Sequence, residues 1–176
     1  MIVLIGFMGA GKTTVGRALA DRLNRPFVDS DEVIERSTGL SIADIFEGYG
    51  EPGFRELEAR TIAEQLTGPP AVLALGGGAI TTASVRQALA GHDVVLLDIS
   101  LADALGRIGG DPGRPMLQRP DLAELFAARE TLYREVATLR IPVAGRSVPE
   151  LVELVVAGLA DPAAVPLDPE PSDAGE

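Results

Sequence analysis

The chain of 176 residues contains no cysteine, which excludes a disulfide framework and a thiolate metal site. It also lacks an apolar run near the roughly 20 residues that a membrane-spanning helix needs, so we expect no membrane partner. The formal net charge is −11, whereas a general nucleic-acid binder is more often basic, so we expect no nucleic acid either. Because neither a basic leader nor a cleavage site follows Met1, the expected location is cytoplasmic. We also expect a monomer.

Short apolar runs alternate with segments of helical periodicity along the chain. We predict strands at residues 1–5, 26–29, 71–75, 94–98 and 141–143. We predict helices at residues 13–23, 52–66, 82–89, 101–107, 121–139 and 148–159. This alternation is typical of an α/β fold with a mainly parallel five-stranded sheet, and Pro142 favours an edge position for the last strand. One domain at residues 1–160 would be followed by an acidic, proline-rich and disordered tail at 161–176.

Two segments interrupt the alternation of strands and helices. Residues 37–53 separate the second strand from a helix, and residues 109–120 combine three glycines and three prolines with two arginines. Inserted segments of this kind often act as lids or substrate flaps, although an ordinary surface loop has the same composition. Both interpretations stay open for each segment.

Residues 6–13, with the sequence GFMGAGKT, match the phosphate-binding pattern G-x-x-x-x-G-K-[ST]. The loop follows a predicted strand and opens a predicted helix, so backbone amides and the positive end of the helix dipole would face an anion. Lys12, the only lysine among 15 basic residues, would reach the β- and γ-phosphates of ATP, and the Thr13 hydroxyl would ligate Mg²⁺. The competing interpretation is a glycine-rich turn beside a structural lysine. A Rossmann dinucleotide site is disfavoured because this turn has no G-x-G-x-x-G.

Two acidic residues follow the second predicted strand, and side chains at positions i and i+2 of a strand end point the same way. Of Asp29 and Asp31, one would hold the metal while the other accepts a proton from a substrate hydroxyl. Capping of the next helix by Ser30 or Asp31 is the alternative. Asp98, which ends an apolar strand, is a rival metal ligand.

Glycines and arginines complete the candidate site. The run Gly76–Gly78 ends the third strand, and it lets a ligand approach the backbone closely. Arg55, Arg114 and Arg134 would bind a carboxylate or phosphate if they converge on one crevice. A solvated surface position is the competing interpretation for each arginine.

Together these residues resemble the shikimate kinase family over about residues 1–160. The motifs occur in the family's order: the loop at 6–13, Asp29-Ser30-Asp31, and residues 41–46, 50–58, 76–78, 114–117 and 133–134. The resemblance implies a three-layer P-loop NTPase fold, similar to that of nucleoside monophosphate kinases. It adds a substrate-binding insertion at about 31–60 and a lid at about 109–120. It also implies transfer of the γ-phosphoryl group of ATP to the 3-hydroxyl of shikimate, in the chorismate branch of aromatic amino-acid biosynthesis.

The same resemblance assigns roles to individual residues. Asp31 would be the base, acting with Lys12 and the lid residue Arg114, while Asp29 joins Thr13 near Mg²⁺. The residues implied for shikimate are Asp31, Arg55, Gly77, Gly78, Arg134, Phe46, Phe54 and Glu58. The residues implied for ATP are Gly9, Ala10, Gly11, Lys12, Thr13, Thr14, Arg107, Arg114, Arg146 and Pro149. Arg55 and Arg134 would grip the carboxylate of shikimate.

Two other functions remain open at this point. A different small-molecule P-loop kinase, such as a gluconate or nucleoside monophosphate kinase, would share the phosphate loop but need another acceptor pocket. A regulatory module that hydrolyses or senses ATP would need no acceptor pocket at all. The presence of Asp31, Arg55 and Arg134 disfavours the regulatory module.

Overall fold

The computed structural model describes residues 1–108 and 121–161 together with Ala163 and Val165. The strands are β1 (Ile2–Ile5), β2 (Phe27–Asp29), β3 (Val72–Ala74), β4 (Asp93–Asp98) and β5 (Leu139–Pro142). The helices are α1 (Lys12–Leu23), α2 (Ser30–Thr38), α3 (Ile42–Leu66), α4 (Ala83–Ala88), α5 (Leu101–Ile108), α6 (Leu122–Val136) and α7 (Val148–Ala160). The predicted lid at 109–120 and most of the predicted tail lie outside the described residues. In the described ranges, no helix has the length and apolar character needed to cross a bilayer.

The strands form one five-stranded sheet in the order β2-β3-β1-β4-β5, and every neighbouring pair is parallel. The prediction of a parallel five-stranded α/β fold is therefore confirmed, as is the edge position of the strand that contains Pro142. Strands buried on both faces are expected to be continuously apolar, and all four residues of β1 are buried. Because all strands run the same way, the segments that follow β1, β2 and β3 meet at one edge of the sheet.

A second, smaller hydrophobic cluster lies apart from the main core. Its buried members are Ile34 of α2 and Ile45 and Phe54 of α3. These residues fall inside the predicted substrate-binding insertion. The insertion therefore has apolar packing of its own beside the sheet.

Most of the predicted interrupting segment at 37–53 is helical. Ser41 and Asp44 form a reciprocal capping box that starts α3, and the helix is broken at Gly50, where φ is 69° and ψ is 176°. Only glycine adopts that backbone region readily. Pro52 follows directly in the first turn after the break, where its missing N–H costs no helical hydrogen bond.

The predicted helix at 121–139 was wrong at its carboxyl end, because α6 ends at Val136 and Leu139 begins β5. Leu139 continues the helical spacing of Leu132 and Val136, which made the sequence ambiguous. The hydroxyl of Thr138 donates to the Val94 carbonyl and accepts from the Val94 amide. These bonds join the chain to β4 and end the helix earlier than periodicity predicts.

Candidate active site

The loop between β1 and α1 is shaped by glycines with positive φ. The φ angles are 144° at Gly6, 80° at Gly9 and 90° at Gly11, a region that L side chains rarely adopt. At Gly6 a Cβ atom would also lie only 2.6 Å from the Leu97 carbonyl oxygen. The loop delivers the chain into α1, which begins at Lys12. Its geometry therefore matches a phosphate cradle at a helix N-terminus.

Lys12 and Thr13 connect this loop with the end of β2. The Lys12 ammonium group donates to the carbonyls of Gly6 at 2.8 Å and Phe7 at 3.2 Å. The Thr13 hydroxyl donates to Asp29 Oδ2 at 3.0 Å, and Asp29 Oδ1 accepts from the Asp31 amide at 3.1 Å. Asp29 is thus both the N-cap of α2 and the partner of Thr13. A side chain does cap α2, as the alternative interpretation predicted, but the capping residue is Asp29 rather than Ser30 or Asp31.

The larger cavity at this edge of the sheet, of about 470 Å³, lies over the loop. Its lining includes nine of the predicted residues, which are Gly9, Gly11, Lys12, Thr13, Thr14, Asp29, Asp31, Gly77 and Arg107. Arg107 spans two elements, since it donates to the carbonyls of Gly9 and Val143. The cavity is therefore lined by a curved glycine-rich main chain, by the cationic groups of Lys12 and Arg107, and by the Thr13–Asp29 pair. This combination suits the phosphate chain of a nucleotide.

A second cavity of about 220 Å³ adjoins the first, and the two share Met8, Asp31, Gly76 and Gly77. The remaining lining residues are Ile42, Phe46, Phe54, Arg55, Glu58, Gly78 and Arg129. The rings of Phe46 and Phe54 lie 4.5 Å apart and form an apolar wall. A cavity with Arg55 and Arg129 beside an apolar wall suits a small organic anion.

Glu58 is the buried acid of this second cavity. Its side chain is 1% exposed and accepts from Arg55 Nη1 at 2.7 Å. Burial raises the pKa of Glu58 to about 7, although the neighbouring Arg55 and Arg129 oppose that rise. The carboxylate holds the Arg55 guanidinium against the glycine run, where a Cβ atom on Gly78 would lie 2.1 Å from Arg55 Nη2.

Asp31 lies where the two cavities meet. Burial, followed by the nearby charge of Asp29, raises the pKa of the Asp31 carboxyl group above its ordinary value. Its Oδ1 atom is buried and has no hydrogen-bond partner among the described residues. A carboxylate with a raised pKa is a better proton acceptor, so Asp31 has the position and the chemistry of a general base.

Comparison with known proteins agrees with this geometry. The shikimate kinase family profile matches residues 8–160. A shikimate kinase of Corynebacterium efficiens is 45% identical over 165 residues, covering 92% of this chain and 97% of the relative. One from Mycobacterium tuberculosis is 46% identical over 164 residues, covering 91% and 93%. The chain belongs to the shikimate kinase family.

Solved structures agree with the family assignment. A shikimate kinase from Acinetobacter baumannii in complex with shikimate matches with a TM-score of 0.83 and 43% identity, covering 90% of this chain and 91% of that one. A gluconokinase from Sinorhizobium meliloti matches with a TM-score of 0.56 at 24% identity, a likeness that extends to the fold alone. The P-loop NTPase fold predicted from the sequence is confirmed.

The structure brings most of the residues implied by the shikimate kinase resemblance to the two cavities. Ala10 is buried inside the loop. Arg146 donates to the Pro142 carbonyl at 2.8 Å, and Pro149 is exposed in the first turn of α7. Neither residue lines either of the two cavities. Arg114 lies outside the described residues. Asp98, the last residue of β4, pairs with Arg140 of β5 and lines neither cavity, so it is not brought to Thr13.

Arg134 does not line the second cavity. It is exposed on α6 and pairs with Glu130 at 2.7 Å, whereas Arg129 of the same helix is 5% exposed and lines the cavity. Sequence reasoning missed Arg129 although a signal was present. Leu122, Arg129 and Tyr133 are spaced by seven and four residues, which puts them on the apolar face of the helix. Arg134 follows Tyr133 directly and therefore points about 100° away from that face.

Proposed function

We propose that this chain transfers the γ-phosphoryl group of ATP to the 3-hydroxyl of shikimate, producing shikimate 3-phosphate and ADP. The observation that supports this proposal most strongly is the position of Asp31 at the junction of the two cavities. One cavity has the lining of a phosphate site, and the other, here called the acceptor cavity, has Arg55 and Arg129 beside an apolar wall. A base at their junction can act on a hydroxyl that points from the acceptor cavity toward the nucleotide.

Arg55 and Arg129 bind the carboxylate of the acceptor, and Arg129 takes the role that the sequence resemblance gave to Arg134. Phe46 and Phe54 cover the apolar face of the acceptor ring. Guanidinium groups hold a carboxylate with charge-assisted hydrogen bonds, which fix its orientation as well as its position. This clamp directs the reacting hydroxyl of shikimate toward Asp31.

Lys12 and the loop amides hold the phosphate chain of ATP, and Arg107 extends along the same cavity. Phosphoryl transfer depends mainly on positioning and charge neutralisation rather than on covalent chemistry. Asp31 orients the acceptor hydroxyl and accepts its proton as the phosphoryl group is transferred. The lid residue Arg114 stays a proposal that rests on the resemblance.

Thr13 and Asp29 are the residues that would hold Mg²⁺. Their hydroxyl–carboxylate pair supplies the oxygen ligands that this ion prefers. Among the described residues, no three His, Cys, Asp or Glu side chains gather into a metal-binding group. When bound, the ion neutralises charge on the β- and γ-phosphates.

The test is release of ADP from ATP and Mg²⁺, measured with and without shikimate, and with gluconate or a nucleoside monophosphate as alternative acceptors. We expect release with shikimate only, and none from Lys12→Met. Arg22→Met is the matched control, because it removes a cation whose described ion pair, with Glu153, is exposed. Binding of ATP without acceptor-dependent release of ADP would support the regulatory module instead. The cytoplasmic location and the monomeric state stay predictions from the sequence.

A further inference from the structure

Tyr133 connects α6 to the glycine run that borders both cavities. Its side chain is 4% exposed, and its hydroxyl donates to the carbonyl of Gly77 across 56 positions of sequence. Tyr133 is four residues after Arg129, so the two side chains share one face of the helix. The same face of α6 therefore contributes an arginine to the acceptor cavity and a hydroxyl group that bonds to the glycine run lining it.

Ser30, the first residue of α2, forms a hydrogen bond to the same glycine run. This residue is fully buried between Asp29 and Asp31, and its Oγ atom accepts from the amide of Gly76 at 3.0 Å. The bond joins the glycine run to the start of α2, which carries the two carboxylates. Two buried hydroxyl groups thus bind consecutive residues of the run.

The glycine run needs such restraints because it has no side chains to pack. A Cβ atom on Gly76 would lie 2.7 Å from Glu58 Oε1 and 2.9 Å from Asp31 Oδ1, and one on Gly78 would collide with Arg55. The functional side chains thus occupy the space that packing groups would otherwise fill. Successive glycines have large backbone freedom, and each hydrogen bond to their backbone reduces it.

We propose that Ser30 and Tyr133 are positioning residues for the acceptor. Their hydroxyl groups fix Gly76 and Gly77, so that the glycine backbone, Arg55 and Asp31 keep the spacing that an acceptor needs to present its hydroxyl. This inference rests on the proposed kinase function. Neither hydroxyl group touches the reacting atoms.

The experiment compares Tyr133→Phe and Ser30→Ala with the wild-type chain in the acceptor-dependent ADP assay. The net value of a single hydrogen bond predicts a loss of about three- to tenfold in kcat/KM for shikimate. KM for ATP should stay within about twofold of the wild-type value, because the phosphate loop is untouched. Ser30→Thr keeps a hydroxyl group and should recover most of the lost activity.

Thr138→Val is the matched control, because it also removes a hydroxyl that bonds to backbone, here the amide and carbonyl of Val94. It should lower the melting temperature while leaving both Michaelis constants unchanged. The proposal is overturned if Tyr133→Phe and Ser30→Ala keep wild-type kinetics, or if KM for ATP changes as much as KM for shikimate. If one variant does not fold, the other decides alone. An inactive wild-type chain would instead contradict the proposed function.

Discussion

The two arginines of α6 give the sharpest test of the acceptor site. Replacing Arg129 by Ala removes a buried cation from the cavity wall. Charge-assisted hydrogen bonds contribute about 1.5–3 kcal/mol each, so KM for shikimate should rise about tenfold to a hundredfold. Replacing Arg134 by Ala removes an exposed helical pair with Glu130, which contributes only about 0.3–0.5 kcal/mol to stability. That variant should change KM by less than about twofold.

The assay is the initial rate of ADP release at saturating ATP and variable shikimate, with each variant first checked for cooperative unfolding. Arg129→Lys keeps the charge but loses the planar, two-pronged donor geometry, so its KM should lie between those of the wild type and Arg129→Ala. If Arg134→Ala raises KM for shikimate more than Arg129→Ala does, the cavity lined by Arg129 is not the acceptor site. The assignment made from sequence would then be correct.

Three further predictions follow from the same geometry. Asp31→Asn should lower kcat about a hundredfold or more with little effect on ATP affinity measured by titration, and near-normal turnover would contradict its role as base. Gly78→Ala should displace Arg55 and raise KM for shikimate, whereas Gly48→Ala, where a Cβ atom meets nothing within 4 Å, should not. The pKa of Glu58 rises from 4.5 to about 7 on folding, so folding takes up a proton in this range. The free energy of unfolding therefore includes a contribution of about 1–3 kcal/mol from this proton uptake. That contribution is fully present below pH 4.5 and is lost as the pH rises through 7. Denaturant titrations of Glu58→Gln should lack this decline, and an identical decline in the variant would contradict the raised pKa.

The phosphate loop could be predicted because its chemistry is local in sequence. Loop curvature, a lysine and a hydroxyl residue must follow one another within eight residues, so the spacing itself carries the information. The pair Asp29 and Asp31 was predicted at the correct edge of the sheet because β2 ends there, although Asp31 lies in the first turn of α2 rather than on an extended strand end. Asp29 shows the limit of that reasoning. Capping and metal binding were weighed as alternatives, yet the two oxygens of one carboxylate contact the Asp31 amide and the Thr13 hydroxyl separately.

The acceptor cavity was less predictable because its residues come from distant segments. Arg55 and Glu58 are on α3, while Arg129 is on α6, and no spacing rule joins them. Predicting Arg129 as a cavity residue would have required the rotational phase of α6, which the apolar positions define only when the helix boundaries are known. The predicted end at Leu139 shows how uncertain those boundaries were, since the hydrogen bonds of Thr138 to β4 end the helix at Val136.

Gly76 lies between the carboxyl groups of Glu58 and Asp31, which have different roles in the proposed reaction. A single missing side chain leaves room for Glu58 Oε1 on one side and Asp31 Oδ1 on the other. Glu58 accepts a hydrogen bond from Arg55, the proposed partner of the acceptor carboxylate, while Asp31 Oδ1 has no hydrogen-bond partner among the described residues. A side chain at position 76 would push both carboxyl groups away, and it would displace Arg55 as well because Arg55 pairs with Glu58. The glycine is therefore required by the spacing between the Glu58 and Asp31 carboxyl groups, and not only by the turn that it begins.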